Sequence, residues 1–143
     1  KALFSEMGDT VVAISPDSKA LYHAAAVMVS NQIVALADMG TVLLVKCGFS
    51  EAAAAEALSP LLLGNAQSVA EKGAVNALTG PIERGDAQTV SKHLQEIRKF
   101  AAESTVGQDI LTAYTALSKQ LIRIAQQKHP QKDYKHLEKE LEQ

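Results

Sequence analysis

A long apolar segment with almost no charge constrains this sequence more than any other feature. Between Lys19 and Lys46 the only formally charged residue is Asp38. Taken as one helix from Pro16 to Gly48, roughly 30 residues at about 1.5 Å each make a rod about 45 Å long. Apolar residues occupy nearly every side of this rod, which predicts a core helix covered by other helices. One stripe, spaced three and four, consists of Tyr22, Ala26, Val29, Ile33, Leu36, Gly40, Leu43 and Cys47.

Composition favours packed helices in the cytoplasm. The chain of 143 residues is 47% hydrophobic but only 4% aromatic, and small aliphatic side chains favour helix-on-helix packing. A formal net charge of −2 without runs of Lys or Arg predicts no nucleic-acid partner. The single cysteine, Cys47, excludes an internal disulfide, is expected in the core, and fits a reducing cytoplasm.

Polar residues in the middle of the rod argue against a membrane span. They would be costly in hydrocarbon, so we expect a core helix and no membrane partner. No pattern of a cleaved leader is present at the start, which argues against secretion. These polar residues are His23, Ser30, Asn31, Gln32 and Asp38.

The N-terminal residues indicate the end of a preceding domain. Residues 1–8 have the pattern of the last turns of a helix, and Thr10–Ser15 is short and β-branched, typical of a buried strand. A lone strand needs a sheet to satisfy its backbone. We therefore expect residues 1–15 to close a preceding domain with strands, 16–128 to form a helical domain, and 129–143 to form a charged, mobile tail helix.

Cap and turn residues divide the remainder into helices. Ser50 should cap a helix that is kinked at Ser59–Pro60 and ends at Gly73, followed by an irregular connection up to Gly85. Such long connections tend to be functional. Two more helices follow, and the tail places Tyr134, Leu137 and Leu141 on one side. Asp86 should cap the first of these two helices, whose inward residues are Val90, Leu94, Ile97 and Ala101. Thr105 with Gln108 should cap the second, which ends at His129–Pro130. The inward residues of the second are Ile110, Tyr114, Leu117, Leu121 and Ile124.

Lys19 and His23 are the main candidates for chemistry. They are four residues apart, so they share a helix face about 6 Å apart along the axis, where they could protonate or orient a carbonyl oxygen. The alternative is a solvated lysine beside a histidine that a neighbour satisfies. Asn31 lies about 12 Å further along the rod than His23 and would join this site only through a sizeable substrate.

The segment around Thr79 and Gly80 is the second candidate region. Its glycine allows close backbone approach, and Arg84 suits a carboxylate or phosphate. The alternative is a structural turn with Arg84 in a salt bridge. The histidines lack metal-ligand spacing, so no metal is expected, and the chain contains no nucleotide-binding glycine motif.

Two blocks, Lys19–Asn31 and Ala77–Asp86, resemble the helical C-terminal domain of a family of Rossmann-like oxidoreductases. That family is related to ketopantoate reductase and to the F420-dependent NADP oxidoreductases, and the resemblance covers roughly residues 3 to 125. It implies an all-α fold, a helical bundle around one long central helix of the 6-phosphogluconate-dehydrogenase C-terminal type. Thr10–Ser15 would be the last strand of the preceding Rossmann domain. In the wider superfamily a catalytic lysine on this helix is followed four residues later by asparagine; Lys19 matches the lysine, whereas His23 departs from the asparagine.

The resemblance implies a function for this chain. It would be the substrate-binding and dimerisation domain of an NAD(P)-dependent oxidoreductase acting on a small keto or hydroxy acid. Lys19 and His23 would be catalytic, and NADP or NAD would be bound mainly by the N-terminal domain, with NADPH, NADH and F420 left open. The chain alone would be inactive. The alternative is a non-catalytic helical oligomerisation module. Substrate would contact Asn31, Thr79, Gly80 and Arg84.

Overall fold

The computed structural model describes residues 12–142, and over this range the protein is all-α, as predicted. A 3-10 turn at Pro16–Ser18 precedes the first helix. The chain divides into two compact units, Lys1–Leu58 and Ser59–Gln143. The helices are α1 (Lys19–Val29), α2 (Asn31–Lys46), α3 (Glu51–Ala77), α4 (Pro81–Arg84), α5 (Ala87–Glu103), α6 (Thr105–Lys128) and α7 (Lys135–Glu142).

The expected N-terminal strand is not present in the part that the structure describes. Residues 12–15 have no regular structure, and the side chains of Val12 and Ile14 are exposed. Strand pairing needs a neighbouring strand, and residues 12–142 supply none. Thr10, Val11 and the helix end predicted over residues 1–8 lie outside the described residues.

The predicted rod is interrupted by one residue. Ser30, between α1 and α2, has φ −116° and ψ −74°, and its hydroxyl lies 2.7 Å from the carbonyl oxygen of Ala26. A serine that bonds back to the carbonyl four residues earlier bends a helix, which accounts for the break.

The burial predicted for the rod is wrong. No residue of α1 or α2 is buried, and Leu21 and Val29 are 75% and 73% exposed. In residues 12–58 only the core position Ala54 is fully buried. An apolar pattern indicates a face that avoids water, but it does not show that the same chain supplies the cover.

α2 and α3 are joined by a tight connection that the sequence predicted well. α2 ends at Lys46, and Ser50 caps α3 by accepting a hydrogen bond from the Ala53 amide at 3.2 Å. Near Gly40 the two helices pack closely, because a Cβ built there would lie 3.1 Å from Cδ1 of Leu58. Cys47, expected in the core, is exposed.

α3 begins in the first unit and ends in the second. The helix does not end and restart at Ser59–Pro60, since backbone dihedrals remain helical through Pro60. The break occurs at Gly73, with φ 73° and ψ 162°, where the sequence predicted the helix to end. Residues 74–77 are helical again, so the predicted irregular connection is shorter than expected.

α5 and α6 form an antiparallel hairpin around the single residue Ser104. As predicted, Asp86 caps α5, accepting a hydrogen bond from the Thr89 amide at 3.0 Å. The predicted cap of α6 is shifted by one residue: Ser104, not Thr105, accepts the bond from Gly107, at 3.0 Å. The buried face of α6 differs accordingly. Leu117 is exposed and Tyr114, Leu121 and Ile124 are half-buried, whereas Gly107, Ile110, Ser118, Ile122 and Ala125 are buried.

The tail helix belongs to the core of the second unit, which corrects the expectation of a mobile tail. α7 packs against α5 and α6, and Tyr134, Leu137 and Leu141 are 2%, 1% and 4% exposed. The predicted apolar side of the tail is therefore its buried side. Burying three large side chains offsets the cost of ordering the segment. The core cluster comprises Leu78, Ile82, Val90, Leu94, Ile122, Ala125, Tyr134, Leu137 and Leu141.

Candidate functional site

Lys19 and His23 lie on one exposed face at the start of α1. Lys19 is the first residue of the helix, directly after the 3-10 turn, and both side chains are exposed. Neither side chain has a hydrogen bond or an ion pair to any residue from 12 to 142. A lysine and a histidine in this arrangement present a hydrogen-bond donor and a proton-exchanging group to an incoming molecule.

Asn31 is exposed and is engaged along its own helix. Its Oδ1 lies 3.0 Å from the Ser30 hydroxyl, which is also within hydrogen-bonding distance of the Ala26 carbonyl. One hydroxyl hydrogen serves only one acceptor at a time, so the Asn31 amide can turn to other partners at little cost. Eight residues separate it from His23, which keeps it a distal candidate on the rod.

The segment 78–86 forms a compact turn around α4, the site of the other predicted contacts. Gly80 has φ 96° and ψ −171°, a conformation that strains any residue with a Cβ. The amide of Arg84 bonds to the Gly80 carbonyl at 3.1 Å, and that of Asp86 to the Pro81 carbonyl at 2.8 Å. The side chains of Thr79 and Arg84 are exposed.

Glu83 connects this turn to the end of α6. His129 Nε2 donates to Glu83 Oε1 at 2.6 Å, and Lys128 Nζ lies 3.6 Å from the same oxygen. The hydrogen bond from His129 is the main cause of a lowered pKa of the Glu83 carboxyl, and the positive charge of Lys128 lowers that pKa further. Sequence reasoning missed Glu83 because its partner is 46 residues away and no spacing pattern connects them.

Backbone oxygens of the turn also accept hydrogen bonds from the residues that follow α6. Lys132 Nζ donates to the Arg84 carbonyl at 2.6 Å, and the Tyr134 hydroxyl donates to the Glu83 carbonyl at 2.9 Å. Lys128 Nζ donates to the Leu78 carbonyl at 2.8 Å. The Arg84 guanidinium has no hydrogen bond or ion pair in the described part of the chain, although its charge helps to lower the pKa of Asp86, after the hydrogen bonds from Thr89.

The predicted site residues fall into two groups of three. Lys19, His23 and Asn31 belong to the first unit, and Thr79, Gly80 and Arg84 belong to the second. A separate open groove of about 220 Å³ in the second unit contains none of them. It is lined by Lys119, Ile122, Arg123, Glu138 and Glu142.

In its described part the protein is an all-α domain whose apolar first helix exposes a lysine–histidine pair. Within residues 12–142 no cluster of three or more His, Cys, Asp or Glu side chains could hold a metal ion. The segment Pro16–Lys46 is long and apolar enough to cross a membrane by length and composition; an 18-residue stretch of it has a mean hydropathy of 1.5 and contains no buried residue. Composition of this kind is shared by membrane spans and by helices that pack against another protein.

The family of the chain follows from its sequence. The model of the family described as "Domain of unknown function (DUF2520)" matches residues 1–121, and the chain belongs to this family. Comparisons with curated proteins and with solved structures gave no match. The matched region includes all the predicted site residues and ends inside α6, before the residues that bind the 78–86 turn.

Proposed function

We propose that this chain is the substrate-binding and dimerising part of an NAD(P)-dependent oxidoreductase that acts on a small keto or hydroxy acid. The observation that carries the proposal is the exposed Lys19–His23 face. Two groups suited to act on a carbonyl oxygen face outward from an apolar helix, without partners in residues 12–142. A histidine retained for packing would instead be enclosed by neighbouring side chains.

Each candidate residue has a defined task in this proposal. The Lys19 ammonium donates a hydrogen bond to the reacting oxygen and stabilises negative charge there. The imidazole of His23 exchanges the proton of that oxygen. Arg84 binds a substrate carboxylate through its planar guanidinium, and the Gly80 backbone allows close approach.

In this proposal the nucleotide, NADP or NAD, is bound mainly by the N-terminal domain. A nicotinamide coenzyme supplies or accepts a hydride when it is bound. Residues 12–142 contain no strand followed by a glycine-rich turn and a helix, the element that holds a dinucleotide pyrophosphate. In the proposal, the candidate residues of this chain act on the substrate.

The test is turnover by the intact protein. Small keto acids are screened with NADPH and NADH, and the variants Lys19→Met and His23→Asn are compared with the parent. Loss of a proton-transfer group should lower kcat by about 10²-fold or more. The melting temperature should be unchanged, because both side chains are exposed.

Matched controls use a lysine and a histidine placed elsewhere. Lys72→Met in α3 and His136→Asn in α7 change exposed residues of the same type and should keep parental turnover. Full turnover in Lys19→Met and His23→Asn would refute the catalytic role.

A non-catalytic oligomerisation module remains the second candidate. It is favoured by the spread of exposed apolar side chains over α1 and α2, beyond the Lys19–His23 face. In such a module, replacing the apolar residues by charged ones would abolish assembly, and there would be no turnover to lose. These residues include Leu21, Tyr22, Met28, Val29, Val34, Leu36 and Val45.

A further inference from the structure

The turn that carries Thr79, Gly80 and Arg84 accepts several hydrogen bonds from one short segment, residues 128–134, which we name the C-terminal strap. Apart from Pro130, Gln131 and Asp133, every residue of the strap bonds to the turn. The two segments are about 50 residues apart in sequence, with a separation of 50 for the bond from Lys128 to Leu78. They meet because α6 ends beside the turn and Tyr134 is buried beneath it.

The strap binds the Glu83 carboxylate and otherwise the backbone carbonyls of the turn, and it leaves the Arg84 side chain exposed. Lys132 Nζ lies 2.6 Å from the Arg84 carbonyl oxygen and 3.4 Å from that of Glu83. The Lys132 stem crosses the turn closely, because a Cβ at Gly85 would lie 3.1 Å from its Cε. The Arg84 guanidinium remains exposed, so the bonds fix the position of Arg84 without occupying the group that would meet a ligand.

Buried contacts fix the strap itself. Tyr134 is 2% exposed, so its hydroxyl is placed by the packed ring and donates to the Glu83 carbonyl from a rigid position. The ammonium of Lys132 lies 5.9 Å from the centre of the Tyr134 ring, within range of a cation–π contact. A rigid support of this kind limits how far the turn can move.

We infer that the C-terminal strap is a positioning element for the 78–86 turn and sets the location of Arg84 for binding a substrate carboxylate. The strap lies beyond residues 1–121, which match the family, so this role belongs to a part of the chain that the family match does not cover. The claim that Arg84 binds a substrate carboxylate rests on the proposed function, whereas the positioning of the turn does not.

Amide hydrogen exchange of the full chain tests the positioning directly. Lys132→Met removes the donor to the Arg84 carbonyl, and Tyr134→Phe removes the donor to Glu83 while keeping the buried ring. Each variant should speed the exchange of the Arg84, Gly85 and Asp86 amides by about tenfold. The amides of Leu94 and Ile97 in the core of α5 should exchange as in the parent.

Two further variants separate positioning from general stability. Lys132→Arg retains a cationic donor and should restore slow exchange in the turn. Arg98→Met is the matched control, because Arg98 also bonds to a distant carbonyl, that of Glu140, at 3.4 Å, but does not touch the turn. Unchanged exchange in Lys132→Met and Tyr134→Phe, or equal acceleration in α5, would overturn the inference.

A ligand arm distinguishes this inference from the proposed function. Pyruvate is titrated against the full chain, and the side-chain Nε–H signal of Arg84 is followed by NMR. The signal should shift in the parent and respond at least tenfold more weakly in Lys132→Met. In the intact enzyme the same variant should raise KM with kcat retained. If the Arg84 signal of the parent does not shift on addition of pyruvate, the proposed substrate role is contradicted. The exchange data still decide whether the strap positions the turn.

Discussion

Gly107 lies where α6 passes closest to the backbone of α5. A Cβ built at this position would be 2.4 Å from the carbonyl oxygen of Phe100 and 2.8 Å from the amide nitrogen of Ala101. Real side chains do not approach backbone atoms so closely, and a backbone cannot yield as a flexible side chain can. The absence of a side chain at Gly107 therefore sets how tightly the α5–α6 hairpin closes.

Gly107→Ala should lower the free energy of unfolding by about 1–3 kcal/mol, because the added methyl group must push two helices apart. Gly64→Ala is the matched control, since no atom lies within 4 Å of a Cβ built at Gly64 inside α3. It should raise the free energy of unfolding by about 0.5–1 kcal/mol through helix propensity. Urea denaturation measures both changes, and effects of the same sign in the two variants would contradict the steric explanation.

Residue-scale signals were the most predictable part of this protein. Ser50 and Asp86 cap their helices as expected, because a cap depends on atoms two or three residues away. The cap of α6 was misplaced by one residue. The sequence pattern favoured Thr105 with Gln108, whereas the close approach at Gly107 fixes where the helix must begin and makes Ser104 the cap.

At the scale of elements, Glu83 links the 78–86 turn to the C-terminal strap through its contacts with His129 and Lys128. The lowered pKa of Glu83, caused chiefly by its hydrogen bond with His129, means that the folded state favours the ionised carboxylate. This contribution to stability is complete above the reference value of 4.5 and is lost as the pH falls through the lower folded value.

Glu83→Gln should therefore be less stable than the parent at pH 6, and the difference should shrink as the pH falls below about 4.5. The free energy of unfolding of both proteins is measured by urea denaturation at several pH values from about 6 to about 3. Glu96→Gln is the control, because Glu96 pairs with Lys99 on the surface, with side chains 69% and 60% exposed, and should change stability little at any pH. A difference between parent and Glu83→Gln that stays constant with pH would contradict this account.

Element pairing was only partly predictable. Val90, Leu94 and Ile97 were correctly placed inside, since their spacing is a property of α5 alone. The strap and the burial of α7 could not be inferred, because Glu83 and its partners are separated by 45 residues or more and neither side has a distinctive pattern. Lys19 and His23 lie on α1, Asn31 begins α2, and the other predicted site residues lie in the 78–86 turn. Their roles remain predictions.

At the scale of the whole molecule, the exposed apolar surface of α1 and α2 is the dominant feature. Helices as apolar as these are usually covered by another folded body. Polar groups along them, including Asp38 and Asn31, are better suited to a protein interface than to hydrocarbon. A second copy of the chain is the occupant that we propose.

The full chain should sediment as a dimer at tens of micromolar, and Val29→Glu should shift it to a monomer. Val29 is 73% exposed, so the charge disturbs an interface and not the fold of one chain. Val106→Glu is the matched control, because Val106 is 47% exposed and belongs to α6 of the second unit. A monomeric parent, or binding of the parent to phosphatidylcholine vesicles in place of self-association, would contradict the dimer.

The burial of Leu137 and Leu141 has a consequence for synthesis. The hairpin of α5 and α6 leaves the ribosome before the residues that cover it, so its apolar side is open to water and to other chains until residue 141 has emerged. The second unit therefore completes its core only after its last helix, α7, has emerged. A longer delay between the emergence of residue 128 and that of residue 141 would lengthen this interval and favour aggregation or capture by chaperones.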